Sequence, residues 1–448
     1  MGKGTIKNIF AYEVLDSRGY PTVACRVTTC EGIVAIAMVP SGASTGEREA
    51  LELRDGDKNR YMGKGVLKAV KNVNTSIAKA LVGKFSVLDQ KKIDECMIKL
   101  DGTPTKSKFG ANAILSVSMA VCKAGAMVSK KPLYEYIKQS FSKAKDYTMP
   151  VPMLNVINGG AHADNTIDFQ EFMFMPVGAK SIHEACRVAS ECFHSLAKLL
   201  KTSKFNTSKG DEGGFAPLLK DAEQALTLMV QAVTAAGYKP GIKGDVAFAM
   251  DTACSELYDS NTKMYTFEKA VKAGLKTKEN GTITSDAMIK YLESLTKKFP
   301  IISIEDGLSE NDREGWAKWM KADGVKLQIV GDDLYCTNPA IVKQGIAGKW
   351  SNSVLIKLNQ IGTVSETVQT ILDANKAGWT AVVSHRSGET EDTFIADFVV
   401  GMGTGQIKTG SMSRSERIAK YNRLMEIENE LGSKAKYKKL AVFSNIKI

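Results

Sequence analysis

IISIEDGLSENDREGWAKWMKADGVKLQIVGDDLYCTNPAIVKQGIAGKWSNSVLIK, residues 301–357, is the stretch on which the fold is read. It holds three short apolar runs, Ile301–Glu305, Leu327–Asp332 and Ser353–Lys357, and each closes on an ionisable side chain. The segments between them are long enough for one helix apiece, so each run with its successor reads as a βα unit. Outward from this stretch the pattern repeats, in Ala247–Asp251 before it and in Ala381–His385 and Gly405–Lys408 after it. The six closing residues, Asp251, Glu305, Asp332, Lys357, His385 and Lys408, are 54, 27, 25, 28 and 23 positions apart. The first gap contains the insertion Tyr258–Thr284; the others each fit one βα unit. Amphipathic helices at Asp286–Lys297 and Val364–Lys376 lie between strands, and Thr363 with Glu366 reads as a capping box for the second.

Repeated βα units predict an α/β fold with a parallel sheet or a closed, TIM-like (β/α)8 barrel, whose C-terminal strand ends converge on one face, the place of the active site in this architecture. One polar residue closing one strand marks no more than the solvent boundary. Six in register put six ionisable groups around one mouth. Three acids come first, which suits oxygen ligation of a hard cation such as Mg²⁺; two lysines and a histidine follow, which suits an anionic substrate bridged to that cation. The periodicity thus proposes a metal-assisted enzyme acting on an anion.

The N-terminal part reads differently. Residues 5–40 alternate apolar and polar side chains with turn signals at Ser17-Arg18-Gly19 and Glu31-Gly32, as in an antiparallel meander, and helical periodicity follows at Gly65–Val82, Val87–Leu100 and Ala111–Ser129. This predicts a smaller α+β domain over residues 1–140 and a barrel domain over 141–448, with the boundary in the polar segment Phe141–Met149.

The 448 residues carry 60 Lys plus Arg against 49 Asp plus Glu, a net charge of +11 that invites an anionic partner. With 24% charged and 44% hydrophobic residues the composition is that of a globular protein and excludes a disordered or fibrous one. The start has no apolar signal region, and Ile6 stands where a myristoylation motif has Ser or Thr. Ser116, Ser118 and Lys123 interrupt the apolar helix 111–128, so no transmembrane segment is expected. Eight cysteines without a CxxC pair fit reduced thiols, hence a cytoplasmic location. GMGTGQ (401–406) precedes a strand and lacks the spacing of a dinucleotide loop, and no P-loop occurs. His183 and His194, with Cys186 between them, lack compact metal-site spacing and read as helix packing.

VPSGASTGEREALELRD (39–55), NVINGGAHADN (155–165), GDEGGFAP (210–217), SIEDGLSEND (303–312), VGDDL (330–334), IKLNQIGT (356–363), SHRSGETEDT (384–393) and GQIKTGSMSRSER (405–417) together resemble the enolase family, in its order, from about Ile6 to Leu431. IDFQEFMFMPVGAK and SMSRSERIAKYNRL resemble bacterial members. The resemblance implies a phosphopyruvate hydratase that interconverts 2-phosphoglycerate and phosphoenolpyruvate with two Mg²⁺ ions. By the same resemblance Asp251, Glu305 and Asp332 hold the first metal, and Ser41, in a Gly-rich lid, binds the second. Lys357 is the general base, freed of its proton by neighbouring cations, and Glu212 protonates the leaving hydroxide with Glu171 raising its proton affinity. His385 belongs to the catalytic group, Arg386 and Ser387 take the phosphate, Lys408 faces the carboxylate, and His162 and Gln170 contact substrate from loops.

The resemblance also implies a homodimer or octamer, and a second role in binding plasminogen at the cell surface, with no direct binding of nucleic acid. The sequence feature that would serve such binding is the tail KAKYKKLAVFSNIKI (434–448), otherwise expected to be a solvated, frayed terminus. Lys209, before GDEGG, and Phe248 depart from the family pattern without touching any assigned role.

Overall fold

The computed structural model describes residues 2–42, 46 and 48–448. Eight strands close into a barrel in chain order: Val151–Asn158, Glu171–Met175, Ala247–Asp251, Ile301–Glu305, Gln328–Gly331, Ser353–Ile356, Thr380–Ser384 and Gln406–Lys408. Every residue in them is buried, as expected of strands covered by side chains inside the barrel and by helices outside it. Asp251, Glu305 and Lys408 are the last residues of their strands; Asp332, Lys357 and His385 stand one position beyond theirs.

One strand breaks the βα alternation. The second runs antiparallel to the first and to the third. Residues 159–170, which lead into it, form one short turn, Gly160–His162, and no helix that could carry the chain back across the barrel, so the strand returns the other way. Reversal brings its first residue to the mouth: Glu171 pairs with Asn158 on one side and Asp251 on the other. Two helices, Ile182–Thr202 and Ala222–Ala235, then follow in succession before the third strand.

The helix Val364–Lys376 begins as expected, but with half a capping box. Thr363 Oγ1 accepts from the Glu366 N–H at 3.1 Å and donates to Glu366 Oε2 at 2.6 Å, while Lys106 Nζ takes the other carboxylate oxygen at 3.1 Å. The Glu366 side chain is thereby held away from the Thr363 backbone.

The N-terminal strands Ile6–Leu15, Pro21–Thr29 and Val34–Met38 form the antiparallel meander, backed by the helix Ala111–Val128. That helix is long and apolar enough to cross a membrane, yet nearly all of it is buried in the protein core. Lys123 on it donates to Ile36 O at 3.1 Å and to Asp392 Oδ2 at 2.7 Å, which ties the meander to a barrel loop.

The C-terminal tail is not frayed. Ala435–Tyr437 pairs in parallel with Tyr147–Met149, and Val442 and Phe443, 7% and 1% exposed, pack with Val151, Met173, Ala247 and Val382 in the barrel interior. Two apolar side chains in a basic tail are enough to anchor it, while Lys434, Lys436, Lys438, Lys439 and Lys447 stay exposed. Phe443→Ala is expected to lower the free energy of unfolding by about 3–5 kcal/mol, measured by denaturant titration. A loss below about 1 kcal/mol would return the tail to the class of dispensable termini.

Candidate active site

Eleven of the thirteen site residues named from sequence line one pocket at the C-terminal face of the barrel: His162, Gln170, Glu171, Glu212, Asp251, Asp332, Lys357, His385, Arg386, Ser387 and Lys408. Glu305, fully buried, lies under Lys408, and Ser41 stands outside the pocket.

The centre of the pocket is Lys408. Its Nζ lies 2.9 Å from Asp251 Oδ2, 2.9 Å from Glu305 Oε2 and 3.3 Å from Glu171 Oε1. Burial disfavours the ammonium, but the three carboxylates outweigh it and hold Lys408 protonated. Burial and the charge of Asp251 keep Glu305 well above the ordinary carboxylate range. Next to this group Lys357 Nζ is bonded to Asp332 Oδ2, and Gln360 Nε2 holds Asp332 Oδ1 at 2.8 Å. Lys357 is likewise pushed down by burial and up, on balance, by Asp332.

A carboxylate cluster this dense, made of oxygen donors alone and already drawn around a cation, fits a hard divalent ion. Among the described residues the tightest groups are His162, Glu171 and Glu212, and Asp306, Asp332 and Asp333, each with its ligand atoms within 4.8 Å. Asp251, Glu305 and Asp332 do not form such a group among the described residues; Lys408 holds the first two and Lys357 the third. Asp306 and Asp333 were missed by the strand-end rule. Their signal is the doubled acid in IEDG and GDDL, and the second acid of the first motif holds the backbone of the other: Asp306 accepts from the N–H groups of Asp332 at 2.9 Å and Asp333 at 2.8 Å.

The opposite side of the pocket carries a carboxyl pair. Glu212 is brought in by the GDEGG loop, which needs glycine: Gly213 has φ 88°, and a Cβ on Gly214 would meet Asn158 Oδ1 at 2.3 Å. Glu212 Oε2 accepts from Asn155 Nδ2 at 3.0 Å and faces His385 Nε2 at 3.5 Å, while its Oε1 lies 3.7 Å from His162 Nδ1. The same His162 Nδ1 is 3.7 Å from Glu171 Oε1. Burial and the charge of Glu212 push Glu171 well up; burial also acts on Glu212, but His385 and His162 outweigh it and hold Glu212 well down. The pair therefore shares one proton, carried on the Glu171 side in this state. The upward push expected on Glu212 falls on Glu171 because His385 faces Glu212 alone, while His162 is equally far from both.

The phosphate-binding arm expected of Arg386 is engaged by another carboxylate. Its Nη1 and Nη2 lie 3.0 and 3.2 Å from the two oxygens of Glu49, and Nη1 also donates to Asn359 Oδ1 at 3.0 Å. Glu49 stands 337 residues away in sequence and was not foreseen. Ser41 is held elsewhere: its hydroxyl accepts from Arg54 at 2.8 Å and Arg18 at 3.2 Å and donates to Glu52 at 3.0 Å, and its backbone bonds Gly388. Of the lid PSGASTG (40–46), residues 43–45 lie outside the described residues. Lys209 covers the Phe193 ring and Phe248 packs on Phe174, so neither departure reaches the pocket. His183 bonds Glu428 and His194 is exposed, which leaves no soft-metal group with Cys186 among the described residues.

Comparison with known proteins bears on the whole chain. The family model described as the C-terminal TIM barrel domain of enolase matches residues 146–446, and that described as the enolase N-terminal domain matches residues 6–137. A Malacoplasma penetrans protein named Enolase is 66% identical over 447 residues, covering 99% of each chain. Proteins of the same name from Mycoplasmoides gallisepticum and Mycoplasma pneumoniae are 63% and 60% identical, covering 98% and 99% of this chain and 92% and 97% of their own.

Proposed function

The chain belongs to the enolase family, and on that premise we propose that its barrel mouth interconverts 2-phosphoglycerate with phosphoenolpyruvate and water, Lys357 taking the C2 proton and Glu212 protonating the leaving hydroxide. It is a glycolytic hydro-lyase. The observation that carries the assignment of roles is placement. Lys357 follows the sixth strand, while Glu171, which shares His162 with Glu212, opens the second, four positions away in an eight-stranded ring; this supports a base and an acid pair on opposite sides of a bound substrate.

The reaction removes a weakly acidic proton beside a carboxylate, then expels hydroxide from the next carbon. Negative charge grows on the carboxylate, and the Lys408 ammonium is preorganised to face it. Abstraction needs the neutral Lys357 amine; Arg386 and Lys408 both disfavour its ammonium, against the pull of Asp332. On the far side the Glu171–Glu212 pair holds the proton that hydroxide needs to leave as water. Arg386 offers a planar fork to the phosphate, with Ser387 beside it.

The family implies a divalent metal. Asp251, Glu305 and Asp332 are the residues that would hold Mg²⁺, with Ser41 serving a second ion. There the metal would stabilise the enediolate, as is general for enolase-superfamily sites. The same reading includes the 1–140 and 141–448 domains, a cytoplasmic homodimer or octamer, and secondary surface display in which the tail lysines meet plasminogen.

The test is an ultraviolet assay of phosphoenolpyruvate formed from 2-phosphoglycerate, with Mg²⁺ and after chelation. Turnover only with the metal supports the reading, and no turnover in either condition overturns it. Glu49→Gln tests the phosphate arm. Because the phosphate must displace a bidentate carboxylate from Arg386, removing that charge is expected to gain about 1 kcal/mol, roughly a fivefold fall in KM. A raised KM would place Glu49 in the substrate-bound arrangement instead.

A further inference from the structure

Arg417 is fully buried behind the pocket, on the helix Ser415–Leu431, and it was assigned no role from sequence. Its guanidinium has four hydrogens on its two terminal nitrogens, and each meets one acceptor. Nη1 donates to His385 Nδ1 at 2.6 Å and to Arg386 O at 2.5 Å; Nη2 donates to Ser387 O at 2.6 Å and to Asp211 O at 3.2 Å. Three of these acceptors are backbone carbonyls, from the SHRSG and GDEGG loops. A single planar fork thus fixes the two loops that carry His385, Arg386, Ser387 and Glu212 relative to each other. Its shaft is packed as tightly: a Cβ on Gly410 would meet Arg417 Cδ at 2.8 Å.

The fourth acceptor is the informative one. Arginine has donors only and keeps its proton in proteins, so the nitrogen it points at must offer a lone pair. Nδ1 of His385 is therefore unprotonated, and the ring proton of the neutral imidazole sits on Nε2. Among the described residues Nε2 has no other hydrogen-bond partner, and it is aimed at Glu212 Oε2, 3.5 Å away.

We propose that Arg417 is a positioning residue that fixes His385 as a neutral Nε2–H donor directed at Glu212. The proposal rests on the reading of Glu212 and His385 as part of the reacting group. His385 then serves as a donor throughout. The ring stabilises the Glu212 carboxylate once its proton has gone to the hydroxide, and it does not act as an imidazolium acid. Burial, which holds the ring down to about 4, agrees with this. A lysine in place of Arg417 would keep the charge but offer three donors from one point, too few for four acceptors on three residues and a ring.

The first test uses the wild-type protein. Nitrogen-15 NMR of the histidines, of which there are four, should show the His385 signal, identified by its loss in His385→Gln, with a protonated Nε2 and an unprotonated Nδ1 at neutral pH. A protonated Nδ1, alone or together with Nε2, overturns the proposal. The second test is kinetic. Arg417→Met and, as the milder change, Arg417→Lys are expected to lower kcat by about 10- to 100-fold, Lys less than Met, and to raise KM by a smaller factor because the fork also fixes Arg386 and Ser387.

In His385→Gln the side-chain amide stands near the former Nε2 and donates without a tautomer to set. In that background Arg417→Met should cost much less than in the wild type; equal losses in both backgrounds mean a merely structural role and also overturn the proposal. If instead His385→Gln and His385→Ala both turn over like wild type, the reading of the acid group fails while the NMR result on Arg417 still stands.

Discussion

Lys357→Ala is expected to stop exchange of the C2 hydrogen of 2-phosphoglycerate with solvent and to lower kcat by about three to four orders of magnitude. Lys357 follows the sixth strand, and the only other lysine lining the pocket among the described residues cannot replace it, because Lys408 is committed to Asp251, Glu305 and Glu171. The substitution also removes the partner of Asp332, which keeps Gln360 Nε2 at 2.8 Å and the position set by Asp306. Loss of the base is therefore expected to exceed any disturbance of the pocket. Deuterium uptake at C2 and steady-state turnover are to be measured on the same preparation. Glu212→Gln is the control: it should block departure of hydroxide and leave exchange running. Exchange at the wild-type rate in Lys357→Ala would remove Lys357 from the role of base, and loss of exchange in both variants would mean that the two steps are not separated as described.

The residues that made the barrel legible in the sequence are the ones whose chemistry conflicts with their surroundings. A buried apolar strand that closes on Asp, Glu, Lys or His needs a reason, and five repeats of that conflict supply one. The second strand escaped the same rule because EFMFM carries its ionisable residue first, which is the signature of a strand entering the mouth from the reverse direction. The tail misled for a compositional reason: its lysines dominate the string, while Val442 and Phe443, which fix it, are two residues among fifteen. Glu49 against Arg386, and Arg417 against His385, were not legible at all. The first joins a loop of the N-terminal part to a barrel loop and the second joins the helix Ser415–Leu431 to the loop after the seventh strand, contacts made only in the folded chain, and no spacing along the sequence records them. The net charge of +11 also changes meaning. The pocket wall carries more carboxylates than cations, so the basic surplus lies outside it, the exposed tail lysines among it.

Lys408→Met is expected to be the most damaging single substitution for fold and activity together. The side chain is 2% exposed, and three buried carboxylates converge on its ammonium. Methionine matches the length of the shaft and fills most of the space, so the cavity contribution is small. What remains is uncompensated charge, and breaking a buried ion pair by removing one partner typically costs about 3–5 kcal/mol. Turnover should fall by at least about 100- to 1,000-fold, because the charge facing the substrate carboxylate is lost as the enediolate forms. The two effects can be separated. If the carboxylates around Lys408 form a site for a hard cation, Mg²⁺ should raise the melting temperature of Lys408→Met more than that of the wild type, since the ion can take over part of the converging charge, yet it should leave turnover depressed, because an ion at the carboxylates does not replace a donor on the substrate. Thermal melts and kinetics with and without Mg²⁺ read both quantities. Melting of the variant unchanged by the ion would argue that these carboxylates are a structural network built around Lys408, and recovery of full turnover would assign the catalytic charge to the metal alone.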